Sequence, residues 1–125
     1  PIGPATPLFG RDFYKHVYNI LNDDGIVVSQ GESPFLDNEN QTALLKVLSR
    51  QFEKTFIYNF SNLTYPGGLW SFCFSSKSLH PIKDFEPKRI TDSGLTFDYY
   101  NEGIHRAAFS LPEFMRKKVA SFLKE

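Results

Sequence analysis

An α/β fold, with a sheet that is parallel over most of its width and ends in an antiparallel pair, is predicted by three features of this sequence. The first is a helix–strand–helix order over residues 8–52, half of a repeating α/β unit. The second is Ile26-Val27-Val28-Ser29, a β-branched run bounded by turn residues. Such a run reads as a buried strand of a parallel sheet covered on both faces. The third is a pair of aromatic-rich segments, Thr55–Phe60 and Leu69–Ser75, separated by eight residues. That gap is too short for a parallel crossover, which takes about a dozen residues or more, so the two segments are expected to pair antiparallel.

Each element has its own local signal. From Leu8 to Leu21 the apolar residues Phe9, Phe13, Val17, Ile20 and Leu21 recur at helical spacing. Asn22-Asp23-Asp24-Gly25 stops that helix and turns the chain. After the Ile26–Ser29 strand and a loop holding Pro34, Asp37 or Asn38 can cap a second helix. Leu44, Leu45, Val47, Leu48 and Phe52 form its buried stripe. In the second aromatic strand Trp70, Phe72 and Phe74 make a bulky face, and Leu69, Ser71 and Cys73 a small one. Residues 76–96 show little periodicity and read as surface loop, followed by a short helical piece around Ile104–Ala108. A last helix follows, with Ser110 and Glu113 as a capping box, Pro112 in its first turn, and Met115, Val119, Phe122 and Leu123 facing inward.

Composition narrows the function. The 125 residues are 41% hydrophobic, enough for one small domain around one core. Lys plus Arg and Asp plus Glu are equal at 14 each, which gives no electrostatic footprint for nucleic acid. No apolar run approaches the roughly 18 residues of a membrane helix. The single cysteine, Cys73, lies in a hydrophobic run and fits a reducing compartment better than a disulfide framework. Asn-x-Ser/Thr sequons at Asn40, Asn59 and Asn62 fall partly in strands and are read as coincidental. The opening Pro1-Ile2-Gly3-Pro4-Ala5-Thr6-Pro7 reads as a loop inside a longer protein.

Candidate chemistry lies at the strand ends. In open α/β sheets, ligands bind in the crevice outside the carboxyl ends of the strands. Gln30 and Glu32 occupy such an end, either as a solvated turn or as an amide and a carboxylate that hold a cationic substrate. Tyr65, beside Pro66-Gly67-Gly68, is either part of an ordinary hairpin loop or a ring offered to an ammonium group. Gly3-Pro4-Ala5 precedes the first helix, where a ligand can meet a helix N-terminus. His16, His80 and His105 share no metal-ligand spacing, and His105 reads as packed and structural. Neither a dinucleotide fingerprint nor a phosphate loop is present.

Four segments carry a resemblance. They are Gly3-Pro4-Ala5 with Leu8-Phe9 and Phe13-Tyr14; Gln30-Gly31-Glu32-Ser33; Thr64 to Phe72; and Tyr99-Tyr100-Asn101 with Ile104 to Phe109 and Leu111-Pro112. In order and spacing these resemble the C-terminal portion of the spermidine synthases, the polyamine aminopropyltransferases, over essentially all 125 residues. The resemblance implies a Rossmann-like, methyltransferase-type sheet with helices on both faces. Residues 1–125 would then be the C-terminal part of the catalytic domain, without the N-terminal β-domain and the nucleoside-binding half.

It also implies transfer of an aminopropyl group from decarboxylated S-adenosylmethionine to putrescine, giving spermidine and methylthioadenosine. The family is cytoplasmic, acts as a homodimer or homotetramer at full length, and needs no cofactor or metal beyond its co-substrate. Residue by residue, Tyr65 matches the tyrosine that contacts the diamine, Gln30 and Glu32 the rim of the amine pocket, and Pro4 a position beside the nucleoside. Leu63 departs from the proline the family has before Thr-Tyr-Pro. The family's catalytic aspartate lies in an Asp-Ser/Thr-x-Asp stretch directly before the Pro-x-Gly-Pro that begins this chain. No catalytic residue is therefore expected here, and the chain alone is expected to be inactive. Two alternatives stay open: a non-enzymatic half-fold for binding or assembly, and an aminopropyltransferase with a longer polyamine acceptor.

Overall fold

The computed structural model describes residues 3–125, with backbone only over residues 3–5. The expected first helix is divided in two. Gly3–Phe9 forms a 3-10 helix, and α1 spans Arg11–Ile20. Pro7 lacks an N–H, and Gly10 is extended at φ −100° and ψ 174°, so the ladder is interrupted before α1 starts. Strand β1 (Ile26–Gln30) follows, then α2 (Asn38–Gln51), capped by Asp37, whose carboxylate accepts from the Asn40 N–H at 3.4 Å.

Strands β2 (Lys54–Ser61) and β3 (Leu69–Ser76) come next. The expected surface loop contains a short helix, α3 (Lys88–Asp92). In α4 (Glu102–Ala108) the cap is Asn101, which accepts from the Ile104 N–H at 2.8 Å. Helix α5 (Glu113–Val119) begins after Pro112 with no side-chain cap, and a 3-10 turn, Ala120–Phe122, closes the chain. The Ser110–Glu113 capping box does not form: Glu113 is instead paired with Arg116 at 2.6 Å.

The sheet corrects the parallel reading. Its order is β1-β3-β2, and both neighbouring pairs are antiparallel. Strands β1 and β2 run in the same direction, as the helical crossover α2 between them requires. They do not touch, because β3 returns through the short Asn62–Gly68 loop and inserts between them, pairing Phe74 with both Val28 and Phe56. Among the described residues β1 is an edge strand. No strand pairs with its other edge among the described residues, and Ile26 and Val28 are 46% and 49% exposed.

Side-chain period decides the two faces of the sheet. Ser71, Cys73 and Ser75 of β3 and Ile57 of β2 turn toward the helices, where small groups let α2 pack close. The core there joins Tyr14 of α1, Leu44, Leu45 and Leu48 of α2, Phe52, Ile57, Cys73, Met115 and Val119. Tyr14 brings a hydroxyl into this apolar layer and satisfies it by donating to Ser29 Oγ at 2.8 Å. On the opposite face Phe56, Tyr58 and Phe74 meet Phe109, Phe72 stacks on Phe60, and Phe56 also meets His80, with Phe56 and His80 4.6 Å apart and Tyr58 and Phe109 5.0 Å apart. The outer edge of β2 is blunted at its start by a backbone bridge between Thr55 and Lys124, at 3.1 and 2.9 Å. Among the described residues no helix is long and apolar enough to cross a membrane.

Cys73 sits wholly inside this packing, and burial pushes its thiol up to about 12. Since the thiolate is the reactive form, the folded chain is expected to resist disulfide-exchange reagents and to react fully only when unfolded. Time-resolved labelling with an aromatic disulfide checks this, and rapid labelling of the native chain would contradict it.

Candidate functional site

The carboxyl end of β1 is held by an unusual backbone path. Gln30 is the last residue of the strand, in register with Phe72. Gly31 then runs tightly against β3: its N–H donates to the Ser71 carbonyl at 2.8 Å. A Cβ at Gly31 would lie 2.7 Å from Ser71 Oγ and 3.3 Å from the Ser71 carbonyl, so only glycine fits this approach. Glu32 follows with φ +62°, the one non-glycine residue in the left-handed region among the described residues. That conformation crowds Cβ against the backbone and persists only where surrounding structure enforces it.

The enforcement is visible. The Glu32 carbonyl accepts from the Ser71 N–H at 3.1 Å and from the Ser71 hydroxyl at 2.8 Å. Gln41, wholly buried on α2, donates from Nε2 to the Gly31 carbonyl at 3.0 Å and to Ser71 Oγ at 2.9 Å. A carbonyl can only accept, so this contact fixes which end of the Gln41 amide faces Gly31. Ser33 completes the turn by accepting from the Phe35 and Leu36 N–H groups, both at 3.3 Å.

This path delivers Gln30 and Glu32 to one cavity of about 140 Å³, lined also by Phe9, Asn40, Ala43, Leu44 and Val47. Burial, and then the nearby charge of Asp37, raise the Glu32 carboxyl above its ordinary value. The cavity thus pairs a carboxylate and an amide with apolar walls, a lining suited to an alkyl chain that ends in an ammonium group.

Tyr65 is not part of that lining. Its loop turns on Gly67 and Gly68, at φ +87° and +68°, and closes with the Asn62 N–H donating to the Gly68 carbonyl at 2.9 Å. The Tyr65 ring stacks on Trp70 at 4.4 Å and remains 44% exposed. Trp70 immediately precedes the Ser71 that binds Glu32, and by the strand period its side chain stands on the opposite face of β3 from that of Ser71. The side chain of Pro4 is outside the described residues. A larger cavity of about 350 Å³ lies elsewhere, lined by residues such as Phe74, Phe85, Arg89 and Tyr100, and receives none of Gln30, Glu32 and Tyr65.

His105 borders that second cavity and is tied into structure. Its Nε2 meets the Pro81 carbonyl at 2.8 Å, its Nδ1 meets the Tyr100 hydroxyl at 2.9 Å, and its ring stacks on Phe85 at 3.8 Å. The carbonyl accepts only, so Nε2 donates to it. Among the described residues no group of three His, Cys, Asp or Glu is placed to hold a metal.

Read from the sequence, Phe9 and Ser71 are packing positions and Asn40 a coincidental sequon, none of them a site residue, and Gln41 does not stand out. One signal for Gln41 was present: an amide standing three and four residues before Leu44 and Leu45, inside the apolar stripe of α2.

Comparison with known proteins follows the same lines. A model of the spermine/spermidine synthase domain matches residues 1–86. The polyamine aminopropyltransferase of Clostridium beijerinckii is 40% identical over 120 residues, which cover 93% of this chain and 42% of that protein. Its counterpart in Thermotoga maritima is 37% identical over 117 residues, covering 94% and 40% respectively. In three dimensions the chain resembles a crystal structure of spermidine synthase in complex with the transition-state analogue AdoDATO. There the TM-score is 0.89 and the identity 34%, over 96% of this chain and 43% of that one. It also resembles spermidine synthase from Thermotoga maritima, with a TM-score of 0.87 and 37% identity over 90% of this chain and 40% of that one. The chain spans about two fifths of the length of these curated relatives.

Proposed function

We propose that this chain, which belongs to the spermine/spermidine synthase family, supplies the amine-holding side of an aminopropyl transfer. The donor is decarboxylated S-adenosylmethionine, the acceptor putrescine, and the products are spermidine and methylthioadenosine. The observation that carries this reading is the cavity shared by Gln30 and Glu32. An ionised Glu32 pairs with one ammonium of the diamine through a charge-assisted hydrogen bond, and the Gln30 carbonyl accepts another. The Tyr65 ring, backed by Trp70, offers its face to the second nitrogen.

In the transfer itself the uncharged second amine attacks the aminopropyl carbon next to sulfur. A C–N bond forms as the C–S bond breaks, and its electron pair stays on sulfur as a neutral thioether. The proton leaves the new ammonium for a general base. Positive sulfur is already a good leaving group, so the step makes no demand for a metal. The family's Asp-Ser/Thr-x-Asp base stretch does not occur within these 125 residues. We therefore expect the 125-residue chain to bind the diamine without turnover. Cytoplasmic location and assembly as a homodimer or homotetramer belong to the same proposal for the whole protein.

Calorimetric titration with 1,4-diaminobutane tests the reading. Glu32→Gln is expected to weaken binding by roughly tenfold or more, the usual size of a lost hydrogen bond to a charged group. The pH dependence has a definite sign. Because the Glu32 carboxyl titrates above 4.5, affinity is low while it is protonated and rises as pH passes upward through its raised value. The stability contribution runs the other way. A raised pKa means that the fold favours the neutral carboxyl, so this contribution is lost as pH rises through the same range. Glu32→Gln is expected to remove both trends. Unchanged affinity in that variant would sink the reading.

The reading as a non-enzymatic half-fold is favoured by one observation, the open edge of β1 with Ile26 and Val28 half exposed. Such an edge is a template for pairing with another chain. Sizing of the purified chain with and without the diamine separates the two: self-association that ignores the ligand supports assembly.

A further inference from the structure

We infer that Gln41 is a positioning residue for Glu32, acting through Ser71 and Gly31. This inference rests on the reading of Glu32 as the amine-holding carboxylate. The buried amide stands in the stripe that continues as Leu44, Leu45 and Leu48, where leucine would satisfy packing. Its Oε1 has no hydrogen-bond partner among the described residues, so burying this amide is unfavourable apart from what Nε2 does.

Both contacts of Nε2 serve one end. The bond to the Gly31 carbonyl at 3.0 Å fixes the peptide that enters Glu32. The bond to Ser71 Oγ at 2.9 Å occupies that oxygen as an acceptor and directs its proton to the Glu32 carbonyl, 2.8 Å away. The peptides on either side of Glu32 are thus clamped, and the φ of +62° between them follows. With that torsion released, Glu32 returns to the ordinary extended or helical region and its carboxylate leaves the cavity it shares with Gln30. Gln41 touches no ligand in this scheme. Its side chain sets where the carboxylate stands.

The test uses the full 125-residue chain and two readouts: the left-handed backbone signature of Glu32 in NMR shifts and couplings, and the affinity for 1,4-diaminobutane. Gln41→Met keeps the length of the side chain and removes the donor. It is expected to abolish the left-handed signature and weaken binding by about fivefold, in line with coupling between residues of one hydrogen-bond network. In a Glu32→Gln background the same substitution is expected to add no further loss of affinity.

A Gln41→Met chain that keeps both the signature and the affinity overturns the positioning role, as does a further loss on top of Glu32→Gln. If Glu32→Gln alone leaves affinity unchanged, the amine reading fails. The backbone signature then decides: its loss in Gln41→Met upholds positioning and its retention overturns it. Should Gln41→Met not fold, Ser71→Ala leaves α2 intact, removes the shared hydroxyl, and is judged by the same readouts.

Discussion

Phe52→Ala is expected to lower the unfolding free energy by about 3–5 kcal/mol, the usual loss for a fully buried aromatic ring. Phe52 is 1% exposed at the end of α2, where its ring meets Tyr18 at 5.4 Å and its carbonyl accepts from Lys124 Nζ at 3.1 Å. The ring belongs to the core cluster that joins α1, α2, β2, β3 and α5, and packs against Tyr18 of α1. Since a domain of this size is stable by only about 5–15 kcal/mol, much of the fold's margin goes with it. Urea unfolding followed by circular dichroism checks this. A loss under about 1 kcal/mol would mean that the helix layer repacks, against the density expected of such a core.

Gly31→Val is expected to be comparably damaging for the opposite reason. Here a side chain is added where β1 leaves the sheet, 2.7 Å from Ser71 Oγ, 3.2 Å from Cys73 Sγ and 3.3 Å from the Ser71 carbonyl. One of these atoms is backbone in the central strand, which cannot swing aside as a side-chain end can. Overpacking of this kind typically costs about 1–3 kcal/mol, and here the hydrogen bonds on either side of Glu32 are lost as well. The expected result is a destabilised chain with diamine binding lost even under conditions where it remains folded. Retained binding at native affinity would show that the strand end tolerates displacement, and would remove the close approach of Gly31 as a requirement of the site. Gly31→Val and Phe52→Ala also separate site from scaffold, since Phe52→Ala is expected to spare binding in the molecules that stay folded.

Much of this architecture could be read locally. The stripe from Leu44 to Phe52, the Asp37 cap and the alternating faces of Leu69–Ser75 are short-range patterns, and α2 and β3 follow them. The division of the first helix at Gly10 has a visible cause in Pro7 and Gly10, although the apolar period runs across it. The capping box at Ser110 failed because Pro112, with its φ fixed near the helical value, starts α5 two residues later and leaves Glu113 free to pair with Arg116.

Strand order was not legible in the same way. Ile26–Ser29 has the composition of a central parallel strand, and composition records what a strand can bury, not which strand lies beside it. The insertion of β3 between β1 and β2 depends on where a loop brings a strand back, and that is a property of the whole chain. The same holds for the site. Gln30, Glu32 and Tyr65 stand out as polar residues at strand ends, and the structure places the first two in one cavity and the third outside its lining, stacked on Trp70.

The sequence by itself determined the secondary elements apart from the break at Gly10 and the short α3, the apolar layer that joins α2 to the sheet, and the polar strand end where chemistry is expected, because each rests on neighbours within a few residues. Only the tertiary structure decided the strand order, the exposure of β1 and the left-handed backbone of Glu32. The last of these is imposed by Gln41 and Ser71 across 10, 30 and 39 residues of chain, and no local pattern encodes contacts at such separations.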